Sequence, residues 1–104
     1  MKAPELRGAA FESPAGGRSL VVGLLEFTTV AALLPLGSEA IHADRAAVID
    51  LAAVTGSDSS GLALLIEWLS VAKDAGRVLH YENVPSQLHQ LARLSDVDSL
   101  ISGA

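Results

Sequence analysis

Side chains capable of chemistry concentrate in one short segment, Gly56-Ser57-Asp58-Ser59-Ser60-Gly61, lying between two strongly apolar stretches. Asp58 or Ser59 placed just before a helix can accept a backbone N–H from its first turn, where such groups otherwise lack partners. A serine there also sits where free N–H groups and the helix dipole stabilise an anion, so Ser59 is a candidate phosphorylation or contact site. Sharper readings fail. Gly56 and Gly61 have the spacing of a phosphate-binding loop, but Leu62 stands where that loop needs its lysine. A nucleophile elbow of the Gly-x-Ser-x-Gly kind is missing from Ser57-Asp58-Ser59-Ser60-Gly61, so a hydrolytic triad with His42, His80 or His89 is not expected. The three histidines are dispersed, without metal-ligand spacing, and Glu67 and Asp74 read as solvated charges rather than a catalytic pair. The expectation is a protein without enzymatic activity, metal or cofactor.

Composition narrows the classes further. The 104 residues are 50% hydrophobic but 4% aromatic, which allows one domain with a modest core and little room for a deep cofactor cavity. Seven Lys and Arg against twelve Asp and Glu give a net charge of -5, which disfavours phosphate-driven nucleic-acid binding. The absence of cysteine removes disulfides, thiolate metal sites and thiol nucleophiles together. No signal-peptide pattern opens the chain, and the apolar runs Leu20 to Leu25 and Val30 to Leu36 fall far short of the roughly 20 residues of a membrane span. A cytoplasmic protein without a direct membrane span is expected.

The elements that must position the segment follow from breakers and periodicity. Residues 1–19 read as an irregular N-terminal segment with a possible first strand at Gly8 to Glu12, and Ser13-Pro14-Ala15-Gly16-Gly17 as the turn of a hairpin. Leu20 to Phe27 is a nearly unbroken apolar run, as expected of a strand buried on both faces. Thr28 or Thr29 fits the N-cap of a helix reaching Ile41, with Pro35 delaying or kinking it. Ala46 to Val54 reads as a third strand, Gly56 to Gly61 as a loop, and Leu62 to Ala75 as a helix that Gly76 stops. Arg77 to Tyr81 is a fourth strand, Pro85 to about Leu94 another helix, and 95–104 a tail with a short extra turn. The alternation implies right-handed crossovers in a small α/β sandwich, a mixed and partly parallel sheet covered by helices, with residues 20–94 as its core.

The helix from Leu62 carries more apolar surface than one sheet needs. Leu62, Leu65, Ile66 and Leu69 form one face, and Leu64, Trp68, Val71 and Ala75 form a second beside it. The surplus must meet a neighbouring helix or a partner, and both remain open for Trp68.

Three pieces together resemble the STAS domain of anti-sigma-factor antagonists and sulfate-transporter tails. They are the strand Val48-Ile49-Asp50-Leu51, the loop Asp58-Ser59-Ser60-Gly61-Leu62, and the helix Leu88-x-x-Leu91-Ala92-x-Leu94. Within that family, Leu33-Leu34-Pro35-Leu36, Gly61-Leu62-Ala63-Leu64-Leu65 and Leu91-Ala92-Arg93-Leu94 resemble the MlaB branch. The resemblance implies a cytoplasmic subunit that binds the ATPase of an Mla-type phospholipid ABC transporter, and through it the inner-membrane permease, maintaining outer-membrane lipid asymmetry. It also implies a partner interface around Asp58, Ser59, Ser60, Gly61 and Leu62, to which the oversized helix face adds Leu64 and Trp68. Many STAS domains carry Gly-Glu-Leu-Asp where this chain has Leu25-Glu26-Phe27-Thr28. Ser59 followed by Ser60 is closer to the phosphorylatable form, so the alternative is an anti-sigma-factor antagonist whose partner is an anti-sigma serine kinase.

Overall fold

The structure, a computed structural model, describes residues 8–101. Strands β1 (Ala9–Ala15) and β2 (Arg18–Leu25) form an antiparallel hairpin. Helix α1 (Phe27–His42) leads to β3 (Val48–Asp50) and β4 (Val54–Ser57), α2 (Ser59–Asp74) leads to β5 (His80–Glu82), and α3 (Ser86–Leu94) and α4 (Asp98–Ile101) follow. The expected third strand is thus divided. β3 runs parallel to the first half of β2 and β4 parallel to its second half, while Leu51 N–H turns aside to Glu82 O at 2.9 Å. The sheet order is β1-β2-β3-β5, with β4 also on β2, so an antiparallel edge joins a parallel core.

The hairpin turn is tighter than the Ser13 to Gly17 expectation. Its two corner residues are Gly16 and Gly17, at φ +70° and +72°, the doubly left-handed geometry that matches strand twist and favours glycine. β2, β3 and β5 then step across the sheet in one direction. Right-handed crossovers in one direction place their helices on the same face, and a single buried cluster forms there. Val21, Leu25, Ile49 and Tyr81 from the sheet join Leu33, Leu65, Trp68, Leu88 and Ile101 from the four helices. Burial of β2 on both faces is therefore corrected: Ser19, Val21 and Leu25 are buried, but Leu20, Val22 and Leu24 on the other face are only half-buried.

Three further boundaries differ from expectation. Helix α1 starts at Phe27 with Glu26 as its N-cap, not Thr28 or Thr29. Thr29 instead works from inside the first turn, its buried hydroxyl donating to Leu24 O at 2.8 Å and accepting Glu26 N–H at 3.1 Å. α1 also runs continuously through Pro35, eight residues after its start, although the ring leaves the Ala31 carbonyl without its helical donor. Packing holds the helix past that point: Trp68 of α2 lies so close to Gly37 that a Cβ would come 2.2 Å from its Cε2, and its Nε1 donates to Leu34 O at 3.1 Å. At the far end, α4 is the short extra turn expected within 95–104, but its Ile101 is fully buried in the common cluster, so the core runs past Leu94. The Gly76 stop of α2 is as expected, with the glycine at φ +69° after the Ala75 cap.

Candidate functional site

β2 and β4 are parallel neighbours, so they end side by side and α1 and α2 begin side by side. Asp58 joins the two starts. Its Oδ1 accepts the N–H groups of Ser60 at 2.8 Å and Gly61 at 3.1 Å, and its Oδ2 accepts the N–H of Phe27 at 3.1 Å. One carboxylate thus satisfies amides of two helices that would otherwise lack partners. Gly61 permits the close approach behind this: a Cβ there would sit 2.1 Å from Leu25 O. The helix therefore begins at Ser59 rather than Leu62, and the supposed loop reduces to Asp58, since Gly56 and Ser57 belong to β4. Ser57 Oγ is turned inward and donates to Gln87 Oε1 of α3 at 3.2 Å.

The predicted interface residues separate into two groups. Ser59 is exposed as the first residue of α2, and Asp58 and Ser60 are half-buried beside it. Gly61 and Leu62 face inward, with Leu62 5% exposed. Trp68 is fully buried, donating to α1 and meeting Phe11 edge-to-face at 5.6 Å, so the neighbouring helix takes its surface and leaves none for a partner. Leu64 is 4% exposed and floors a groove.

That groove lies beside the motif. It opens between α1 and α2, encloses about 520 Å³, and is lined by Phe27, Val30, Ala31 and Leu34 on one side and Ser60, Ala63, Leu64 and Glu67 on the other. Its lining is mostly apolar. Phe27 at its mouth is 77% exposed, a large aromatic surface left in water immediately beside the cap. Phe27 falls at the end of the buried strand expected over Leu20 to Phe27, so the sequence pattern alone hides its exposure. The available signal was the Leu25-Glu26-Phe27-Thr28 stretch itself, where an acid breaks the apolar run before a hydroxyl pair.

Other polar groups make structural contacts. Arg18 donates to Glu82 at 2.5 Å and lies 3.9 Å from Asp50, which also accepts Asn83 Nδ2 at 3.0 Å and Ala52 N–H at 2.9 Å. The Asn83 amide, helped by Ala52 N–H and Arg18, holds the Asp50 carboxyl below its usual range, and Arg18 does the same for Glu82. Burial pushes the Tyr81 phenol well above its ordinary value, leaving it a donor to Leu65 O at 2.6 Å. His42, His80 and His89 lie on three different elements, and no cluster of metal-ligating side chains occurs among the described residues.

The arrangement has no assembled nucleophile, base and acid. It offers a serine-bearing helix start, tied to its neighbour by Asp58, beside an apolar groove. Comparisons with known proteins agree with the architecture. The structure superposes on the anti-sigma factor antagonist SpoIIAA in its unphosphorylated form with a TM-score of 0.68, at 16% identity, covering 92% of this chain and 87% of that one. The Bacillus cell fate determinant SpoIIAA in the phosphorylated form gives 0.65, also at 16% identity, covering 92% and 90%. A crystal structure of Mglu gives 0.53 at 19% identity, covering 81% of this chain but 22% of that one. These likenesses establish the fold, an α/β sandwich with a mixed sheet. A search of curated protein sequences gives no significant match. The family profile described as "Mlab, STAS domain" matches residues 15–102, from the end of β1 through α4, and the chain accordingly belongs to the MlaB-type STAS-domain family.

Proposed function

We propose that this chain is a non-enzymatic STAS subunit that binds and supports the ATPase of an Mla-type phospholipid ABC transporter. It would act at the cytoplasmic side of the inner membrane, reach the permease only through that ATPase, and serve outer-membrane lipid asymmetry. The observation that carries the reading is the exposed Phe27 lining the α1–α2 groove together with Ser60, its amide bonded to Asp58. A large aromatic beside a preformed apolar cleft is the usual anchor of a protein interface. Membership of the MlaB-type STAS family supports that kind of partner. Ser59, Ser60 and Asp58 form the polar rim, Leu64 the floor, and Gly61, Leu62 and Trp68 hold the shape from beneath.

Co-purification from the native host tests this. Phe27→Asp and Ser59→Arg should each remove an ABC ATPase that the unaltered chain retains, without altering the chain's own thermal midpoint by more than a few degrees. Recovery of the ATPase undiminished by both changes would refute the proposal.

A second reading has its own support, in the exposure of Ser59 and in the likeness to SpoIIAA, whose structures include a phosphorylated form. Here the chain is an anti-sigma-factor antagonist and its partner a serine kinase. A phosphate on Ser59 would add roughly -1.5 to -2 charge at the rim of the groove, favoured by the helix dipole but repelled by Asp58 and by any acidic partner surface. Intact-mass measurement of the chain from stressed and unstressed cells separates the two readings, because only this one requires an added phosphate.

A further inference from the structure

The face of the sheet opposite the helices bears an aliphatic stripe that the groove reading does not use. Leu20, Val22 and Leu24 follow one another along β2 at alternate positions, with Ala10 of β1 beside Val22 and Val48 of β3 beside Arg18 by register. Leu20, Val22, Leu24 and Val48 are half-buried, yet none of them packs against the core. Among the described residues no helix crosses this face, because both crossovers put their helices on the other one. At its margin Val78 precedes β5 and is 70% exposed.

Charges flank the stripe on both sides. Glu12 of β1 lies beside Leu20, and Asp50 of β3 and then Glu82 of β5 continue the same row in the opposite direction. Arg18 pairs with Glu82 and lies 3.9 Å from Asp50, and exposed His80 stands beside Val48 by register, so among the described residues three carboxylates of this row share the single arginine and a negative surplus is left. We propose that this face binds a basic amphipathic helix of a partner protein, its apolar side along β2 and its Lys or Arg residues reaching carboxylates on both flanks. From Leu20 to Leu24 the stripe runs roughly 13 Å, which about nine helical residues would cover. Charge complementarity selects this occupant. A second copy would set Glu12, Asp50 and Glu82 against the same carboxylates, and an anionic lipid surface would be repelled by them as well. The site lies on the other side of the sheet from Phe27 and Ser59 and stands or falls independently of the ATPase reading.

The test is a methyl and amide NMR titration of the full chain with a synthetic helix of about 14 residues, carrying leucines on one side and lysines along both edges. Shifts should map to Leu20, Val22 and Val48, Glu12→Lys should weaken binding about tenfold, and a peptide with glutamates for lysines should not bind. Leu20→Asp should weaken binding at least as far. Loss of binding with Phe27→Asp would place the peptide in the α1–α2 groove and overturn the proposal. So would equal affinity for the glutamate peptide, concentration-dependent dimers through this face in sedimentation, or the same shifts on adding phosphatidylglycerol vesicles. Contacts in the free protein between residues 1–7 and the Val22 methyls would also overturn it, since the chain would then supply the occupant itself.

Discussion

Two residues at the proposed docking site, Asp58 and Gly61, do different work from that suggested by their types alone. A capping aspartate ordinarily serves one helix, and its loss costs about 0.5–2 kcal/mol. Asp58 accepts three amides from two helices, so Asp58→Ala should exceed that range, costing about 2–3 kcal/mol in urea unfolding. Asp58→Asn keeps one accepting oxygen and should fall between. Equal effects for Ala and Asn would contradict the two-armed geometry. Gly61→Ala makes the opposite point. In an exposed helix interior the change gains up to about 1 kcal/mol. Here the new methyl would sit 2.1 Å from Leu25 O, a backbone atom, so the sign should reverse to a loss of about 2 kcal/mol or more. A Gly61→Ala variant as stable as the parent would show that α2 can move away from β2 without cost.

At the scale of elements, the parts with strong local periodicity were legible and those set by distant contacts were not. The stripe of α2 and its Gly76 stop follow from the chain within one turn of themselves. The start of α1 does not, because Phe27 N–H is satisfied by Asp58, 31 residues away, and Pro35 is tolerated because Trp68, 33 residues on, braces the next turn. The polar run Gly56 to Gly61 reads as a loop by composition, yet all of it but Asp58 is strand or helix once β2 is present to pair with it. Strand-to-strand polar links were equally invisible. Arg18, Asp50, Glu82 and Asn83 tie β2, β3 and β5 together, and Asp50 and Glu82 are held below their ordinary pKa. Because the folded-state values are depressed, the stability from these carboxylates is complete above the unfolded-state value of about 4. It is lost as pH falls through the folded values. Asn83→Ala removes the leading support of Asp50, so its acid-unfolding midpoint should move to higher pH than that of the unaltered chain, with little change in the shape of the transition. An unshifted midpoint in a circular-dichroism pH titration would remove Asp50 from the account of acid stability.

For the whole molecule, the direction of the crossovers decides where function can be placed. β2 pairs with three strands and lies at the centre of both surfaces, its buried side feeding the helical core and its end supporting the Asp58 cap. Stability should therefore be graded outward from β2, with the four-residue α4 and the β1 edge opening first. The proposed docking site should belong to the slowly opening part. Amides at helix starts normally exchange quickly, since they lack helical acceptors, but Ser60, Gly61 and Phe27 are bonded to Asp58. Native-state hydrogen exchange should find these three amides protected nearly as well as the interior of α2, and Asp58→Ala should return them to near-solvent rates while Val21 and Leu65 stay slow. A site preorganised in this way loses little chain freedom when a partner arrives, which favours tight docking from a small contact area. Fast exchange of all three amides in the unaltered chain would mean instead that the site is ordered only by its partner, and affinity would then carry the cost of folding both helix starts.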